Sequence, residues 1–270
     1  DRLPGGTVFL DARHRSPGAT FNVMMLSVLA DGATTIENAS TDPEVVSCAE
    51  FLNAMGARIS GIGGATLHIE GVPALRGCEF TGIADRIEAG TYLLAAAATR
   101  GDVTVEQANP AHLDFVLAKL EEAGLAITRC DDAIRVQAPD RARAVDITTG
   151  PFPLFPTDLQ SPMVVLLSLA DGTSIVQETI YDGRLTYLDE LRRMGAQSRM
   201  VDQTAIITGV ERLTGASIHA HDMRAGAALV VAALAAEGES RISGLHFIQR
   251  GYQDLEAKLR SLGADLRVQA

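Results

Sequence analysis

The sequence predicts an α/β protein built from a repeated βαβαββ unit, with helices inside and sheets outside. Three observations carry that expectation. A first glycine marker recurs as Gly32, Gly101, Gly172 and Gly238, each closing an apolar run, at intervals of roughly 70 residues. A second recurs with the same interval, roughly 70 residues, at Gly56, Gly124, Gly195 and Gly263. Between markers, one order of local patterns repeats.

The first element of a unit is an Ala-rich stretch such as residues 91–98, which reads as a buried helix because it keeps no polar face. A glycine stops it. A strand with period-2 alternation follows, as in residues 34–38 and 103–106. Next comes an amphipathic helix; in residues 113–123, Val116, Leu117 and Leu120 share one face while Lys119, Glu121 and Glu122 share the other. A hairpin-like pair ends the unit, as in residues 125–129 and 133–137 around Asp131-Asp132. So small a unit cannot close its own core, so neighbouring units must pack their helices together.

A chain of 270 residues with 47% apolar content buries one or two substantial cores. Its net charge of -11 argues against a nucleic-acid partner, which would demand dense Lys and Arg. Apolar runs such as residues 225–236 are too short for a bilayer span, and no signal segment opens the sequence, so a soluble, cytoplasmic protein with no membrane partner is expected. Cys48, Cys78 and Cys130 lack metal-type spacing and read as reduced thiols.

Residues 148–160 carry three prolines and deliver Thr157 and Asp158 to the start of an apolar helix. Taken alone, the pair reads as a helix N-cap, although the proline-stiffened approach suits a positioned carboxylate. Arg184, Arg224 and Arg250 fall at corresponding loop-to-helix junctions of the last two repeats, where stacking could bring them to one rim. Converging guanidinium groups bind carboxylate or phosphate through paired hydrogen bonds. Asp85, Arg86 and Glu88 open another helix and read as a capped, dipole-favoured terminus.

In order and spacing, residues 85–91, Phe155-Pro156-Thr157-Asp158-Leu159-Gln160, Arg184, Asp222-Met223-Arg224-Ala225 and Arg250-Gly251-Tyr252 resemble the enolpyruvyl transferase family. Within it, they look more like the branch acting on UDP-N-acetylglucosamine than the branch acting on shikimate 3-phosphate. The resemblance covers the whole chain and implies an inside-out α/β barrel fold with four of six repeats present. It implies an N-terminally truncated chain, with 1–82 the last repeat of an N-terminal domain and 83–270 a C-terminal three-repeat domain. The implied activity transfers the enolpyruvyl group of phosphoenolpyruvate to the 3-hydroxyl of UDP-N-acetylglucosamine, the first committed step of peptidoglycan synthesis. No metal, cofactor or obligatory protein partner is implied.

By the same resemblance Asp158 is the general base, and Arg224 and Arg250 clamp the carboxylate and phosphate of phosphoenolpyruvate. Arg184 is a further anion-binding or closure-linked residue, and Ile180 a backbone contact for the sugar nucleotide. His14-Arg15-Ser16-Pro17-Gly18 resembles the turn that holds the uridine diphosphate, and Asp85, Arg86, Glu88, Thr157 and Asp222 complete the cleft. Departures from the family pattern at His14-Arg15, Ala84, Leu185-Thr186 and Gln249 bear on the acceptor. They leave open a paralogue acting on another nucleotide such as UMP in specialised metabolism. The absence of the family's Lys-Asn pair and reactive-Cys loop leaves open a catalytically silent ligand-binding relative. Residues 1–82 are expected to be the less stable part, with helices exposing apolar faces.

Overall fold

Strand and helix alternate as the glycine markers require in the computed structural model, which describes residues 2–269. Two compact units form. The first holds the described residues up to Ala84 together with Gly150–Leu154; the second holds Asp85–Thr149 and the described residues from Phe155 onward.

The first unit runs β1 (Thr7–Phe9), α1 (Pro17–Ser27), β2 (Ala33–Glu37), α2 (Pro43–Ala54), β3 (Arg58–Ser60) and β4 (Thr66–Glu70). This is the expected βαβαββ order. Its sheet is ordered β1-β2-β4-β3, parallel between β1 and β2 and antiparallel elsewhere. Ile36, Leu67 and Ile69 on the sheet pack with Met24, Val28, Val45 and Leu52 of the helical segments. Helix α1 leaves Met25 and Leu26 exposed.

The second unit starts at α3 (Arg86–Ala98), β5 (Asp102–Glu106), α4 (Asp114–Glu122), β6 (Ala126–Arg129) and β7 (Ala133–Gln137). It continues with β8 (Ile147–Thr148), α5 (Thr157–Leu169), β9 (Thr173–Gln177), α6 (Leu188–Arg193), β10 (Gln197–Val201) and β11 (Thr204–Thr208). Then come β12 (Leu213–Thr214), β13 (Ser217–His219), α7 (Met223–Ala235), β14 (Ala236–Glu237), β15 (Arg241–Ser243), α8 (Leu245–Gln249) and α9 (Leu255–Ser261). Helix α4 buries Val116, Leu117 and Leu120, the face read from the sequence.

Two repeats depart from the full pattern. No strand precedes α3, because residues 71–84 carry Gly71, Pro73, Gly77 and Gly82 without sustained alternation, and such residues disfavour ladder pairing. Among the described residues no hairpin follows α9. The sheets are open: β5-β7-β6, β10-β11-β9-β8, and the two-stranded β12-β14 and β13-β15. The architecture is thus mixed α/β, and no sheet closes on itself among the described residues.

Helices α3, α5 and α7 pack on one another, with β5 and β7 against α3 and β9 and β11 against α5. All of α3 except Glu88 is buried, and so is α5 from Leu159 to Ser168. Small side chains permit this closeness: at Gly90 an added Cβ would sit 2.4 Å from Leu159 Cδ1. The N-terminal turns of α5 and α7 and the segment leading to Arg184 therefore share one polar edge of an otherwise apolar helical core. Among the described residues no helix is long and apolar enough to cross a membrane.

Candidate active site

Helix α5 begins without a side-chain cap. The N-cap position is occupied by Pro156, which has no side-chain oxygen, so Thr157 and Asp158 already lie inside the first turn. This corrects the expectation that they form a capping pair. Instead Thr157 Oγ1 donates to Glu178 Oε2 at 2.9 Å. Asp158 accepts from two arginines: Arg184 Nη2 on Oδ1 at 3.0 Å and Arg224 Nη2 on Oδ2 at 3.1 Å.

The rest of this turn is equally committed. Gln160 Oε1 accepts from the buried Tyr187 hydroxyl at 2.7 Å, and Ser161 Oγ donates to the Arg224 carbonyl at 3.0 Å. Burial pushes the Tyr187 phenol well above its ordinary range, with the Glu178 charge adding, so it stays a neutral donor. Pro162 lacks the N–H that would have reached the Asp158 carbonyl four residues back.

Two guanidinium groups, with side chains 11% and 15% exposed, face the Asp158 carboxylate, which is 36% exposed, an excess of one positive charge among these three side chains. The buried Glu178 carboxylate beside Thr157 offsets that charge from one side. The Nε atoms of both Arg184 and Arg224 are buried with no hydrogen-bond partner. Burial pulls the Arg224 guanidinium down, but the Asp158 charge and the Tyr252 hydroxyl outweigh it and hold the group above its ordinary range. Arg224 therefore remains charged. Arg184 is set by Gly183, whose φ of 77° lies in the left-handed region, and its guanidinium stacks 4.6 Å from the Tyr181 ring centroid. Such an arrangement can receive an anion, because buried donors without acceptors are costly until one arrives.

Asp222 caps α7 by accepting from Arg224 N at 2.8 Å and Ala225 N at 2.9 Å. Asp85 caps α3 through Ile87 N and Glu88 N, as the local sequence reading held. Arg86 is buried, and Glu88 pairs with Lys258 at 2.6 Å. Thr91 spends its proton on the Ile87 carbonyl at 2.8 Å, so the Tyr252 hydroxyl, 3.1 Å away, donates to Thr91 and accepts from Arg224 Nη1 at 3.4 Å.

Arg250 departs from the sequence expectation. It stands at the C-terminal end of α8, not at a loop-to-helix junction matching Arg184 and Arg224, because the last repeat inserts α8 before α9. The side chain is exposed and makes no hydrogen bond or ion pair among the described residues. Ile180 is drawn into the centre through its backbone N–H, which donates to Glu178 Oε1 at 2.8 Å.

In the first unit, residues 14–18 form the turn into α1. Ser16 is the N-cap, accepting from Ala19 N at 3.2 Å; Pro17 opens the helix, Gly18 follows, and Arg15 has a φ of 41°. His14 Nδ1 lies 3.1 Å from Asp11 Oδ2. The Arg13 side chain and backbone N–H beside Asp11 hold its carboxyl down to about 2.

Glu178 and Tyr252 were not singled out as site residues from the sequence. Glu178 extends the buried series Ser174 and Val176 of β9, which puts a carboxylate on an inward face, and that alternation was a usable signal. No local pattern reveals the reach of Tyr252 to Arg224. Cys48, Cys78 and Cys130 are unpaired, and burial pushes the Cys48 thiol up. No cluster of three or more His, Cys, Asp or Glu is placed to hold a metal among the described residues.

A mixed α/β unit thus sets a carboxylate between two largely buried guanidinium groups. Residues 1–259 match the family model described as EPSP synthase (3-phosphoshikimate 1-carboxyvinyltransferase), and the chain belongs to that family. It is similar to UDP-N-acetylglucosamine 1-carboxyvinyltransferase 3 of Caldanaerobacter subterraneus subsp. tengcongensis, 49% identical over 98% of this chain and 63% of the relative. To UDP-N-acetylglucosamine 1-carboxyvinyltransferase 2 of Symbiobacterium thermophilum it is 51% identical over 98% of this chain and 62% of the relative. The chain thus spans 62–63% of the length of these curated relatives. Among solved structures, the enolpyruvyl transferase NikO from Streptomyces tendae superposes with a TM-score of 0.88 at 25% identity, covering 99% of this chain and 66% of that one. EPSP synthase from Acinetobacter baumannii shares the fold at 18% identity, with a TM-score of 0.77 over 100% of this chain and 64% of that one.

Proposed function

We propose that this chain supplies the base and most of the anion clamp of an enolpyruvyl transferase that moves the enolpyruvyl group of phosphoenolpyruvate to the 3-hydroxyl of UDP-N-acetylglucosamine, releasing phosphate. The observation that carries the reading is Asp158 held between Arg184 and Arg224, whose Nε–H groups are buried without an acceptor. The names of the relatives at 49% and 51% identity support the acceptor.

Without substrate, each guanidinium group gives one Nη2 to the Asp158 carboxylate and keeps its Nε–H unpartnered. A phosphoenolpyruvate anion competes for Arg184 and Arg224, and Arg250, exposed and unpaired, adds a further donor fork. Once its partners turn to the substrate, Asp158 is released to accept the hydroxyl proton. The hydroxyl oxygen then bonds to the central carbon of phosphoenolpyruvate while a proton adds to its methylene carbon, giving a tetrahedral ketal. Loss of a proton from the resulting methyl group and departure of phosphate restore the carbon–carbon double bond. The sequence balances without an electron carrier. Fixed guanidinium charge stabilises the anionic intermediate and the leaving phosphate.

In this reading the turn of His14, Arg15, Ser16, Pro17 and Gly18 meets the uridine diphosphate, where a helix N-terminus favours negative charge. Asp85, Arg86 and Glu88 lie on the acceptor side, and Asp222 holds the Arg224 turn. With its N–H committed to Glu178, Ile180 offers its carbonyl to the sugar nucleotide. Residues 1–82 belong to the last repeat of an N-terminal domain and 83–270 to a C-terminal three-repeat domain, within an inside-out barrel of six repeats. A cytoplasmic location goes with these substrates.

The test is phosphate release from phosphoenolpyruvate by the full-length protein with UDP-N-acetylglucosamine or UMP as acceptor. Turnover with the UDP-sugar is expected, falling about 100-fold or more in Asp158→Asn. Turnover with UMP alone would move the acceptor to another nucleotide, and none with either would remove the reading.

A further inference from the structure

We infer that Glu178 is a positioning residue for the proposed reaction, acting through Thr157 to hold Asp158 in register while the arginines turn to substrate; the inference rests on the reading above. Glu178 lies just beyond β9 and is 2% exposed. Its Oε1 accepts from Thr149 Oγ1 at 2.9 Å, Ile180 N at 2.8 Å and Tyr181 N at 3.0 Å, while Oε2 accepts from Thr157 Oγ1 at 2.9 Å. Four donors nearly fill the lone-pair capacity of a carboxylate, so this group is no base and no ligand for substrate.

The donors come from three segments: the residue just after β8, the first residue of α5 and the turn leading to Arg184. Thr157 immediately precedes Asp158. Tyr181 stacks on the Arg184 guanidinium and accepts from Arg184 N at 3.3 Å. One buried carboxylate therefore fixes both sides of the Asp158–Arg184 pair. That matters most during turnover. Before substrate binds, two guanidinium groups hold the Asp158 carboxylate directly. After they turn to the substrate, the bond from Thr157 to Glu178 still holds the residue next to Asp158, with Gln160 and Ser161 holding the rest of the turn.

A residue acting this way affects the chemical step more than binding, because misplacing a catalytic group by about 1 Å can cost roughly 100-fold in rate. The test uses the full-length protein with Thr157→Val, which keeps the side-chain shape and removes the donor, and Thr157→Ser, which restores it. For Thr157→Val, kcat is expected to fall about 10- to 100-fold with both KM values within about twofold. Thr157→Ser should recover most of the loss. Glu178→Gln should fall between them, since its amide can donate to Thr157 but no longer accept from it. An unchanged kcat in Thr157→Val, a loss confined to KM, or no recovery in Thr157→Ser would each overturn the inference. Failure of the wild type to turn over either acceptor would instead overturn the reading beneath it.

Discussion

Arg224 meets Asp158 through Nη2 and Tyr252 through Nη1, leaving a buried Nε–H for an incoming acceptor. Lysine would keep the charge but lose the fork. Charge-assisted hydrogen bonds contribute about 1.5–3 kcal/mol each, so Arg224→Lys is expected to raise the KM for phosphoenolpyruvate about tenfold or more in steady-state assays. An unchanged KM would mean that the guanidinium does not meet the donor substrate. Asp11 gives a pH prediction: with Arg13 beside it, its carboxyl titrates at about 2 instead of an ordinary 3.8. A depressed folded value adds stability above the ordinary one and loses it as pH falls from about 4 toward 2, a small effect for so exposed a pair. Carbon NMR titration should place the Asp11 midpoint near 2, moving toward 3.8 in Arg13→Ala. Residue motifs pointed to Asp158, Arg184 and Arg224, whose side chains do converge. The capping expectation failed because it weighed Thr157 and Asp158 without counting Pro156 as the residue before the helix. Glu178 was legible in the alternation of β9, whereas Tyr252 reaches Arg224 only through tertiary packing.

Elements differ in how far their sequences dictate them. The buried face of α4 was readable because its two faces differ sharply, with the helix one residue shorter at each end than the 113–123 expected, and β5 and β7 were readable because they alternate. The strand expected before α3 fails because glycine and proline interrupt the segment, a local signal that the repeat pattern overrode. Close packing of helices is less visible in sequence, and Gly90 shows why: its role depends on Leu159 of the neighbouring helix, fully buried on α5. Gly90→Ala would place a Cβ 2.4 Å from Leu159 Cδ1 and 3.3 Å from Cγ. Alanine gains about 1 kcal/mol of helix propensity. Overpacking a core costs about 1–3 kcal/mol, and here the clashing Leu159 is fully buried, so the steric cost should win. The melting temperature is expected to fall by about 2–6 °C. Because Leu159 directly follows Asp158, kcat should drop with it; a stabilised variant with normal kcat would contradict this account of the helix contact.

At the scale of the molecule, apolar burial is uneven. The second unit encloses three mutually packed helices, whereas the first builds its core from one four-stranded sheet and two helices, with Leu26 of α1 left 59% exposed and Met25 48% exposed. Stabilisation scales with apolar area removed from water, at about 25 cal/mol per Å². The amides of α1 and α2 are therefore expected to exchange with deuterium faster than those of α3, α5 and α7 in the 270-residue chain. Equal protection would show that burial in the first unit suffices alone. The comparison gains force in the full-length protein. If residues 1–82 belong to the last repeat of a larger domain, the exposed face of α1 should be covered there, and α1 amides should become protected while those of α5 change little. Lasting fast exchange of α1 in the longer protein would instead mark that face as open in the native molecule, and the proposed domain assignment would fall with it.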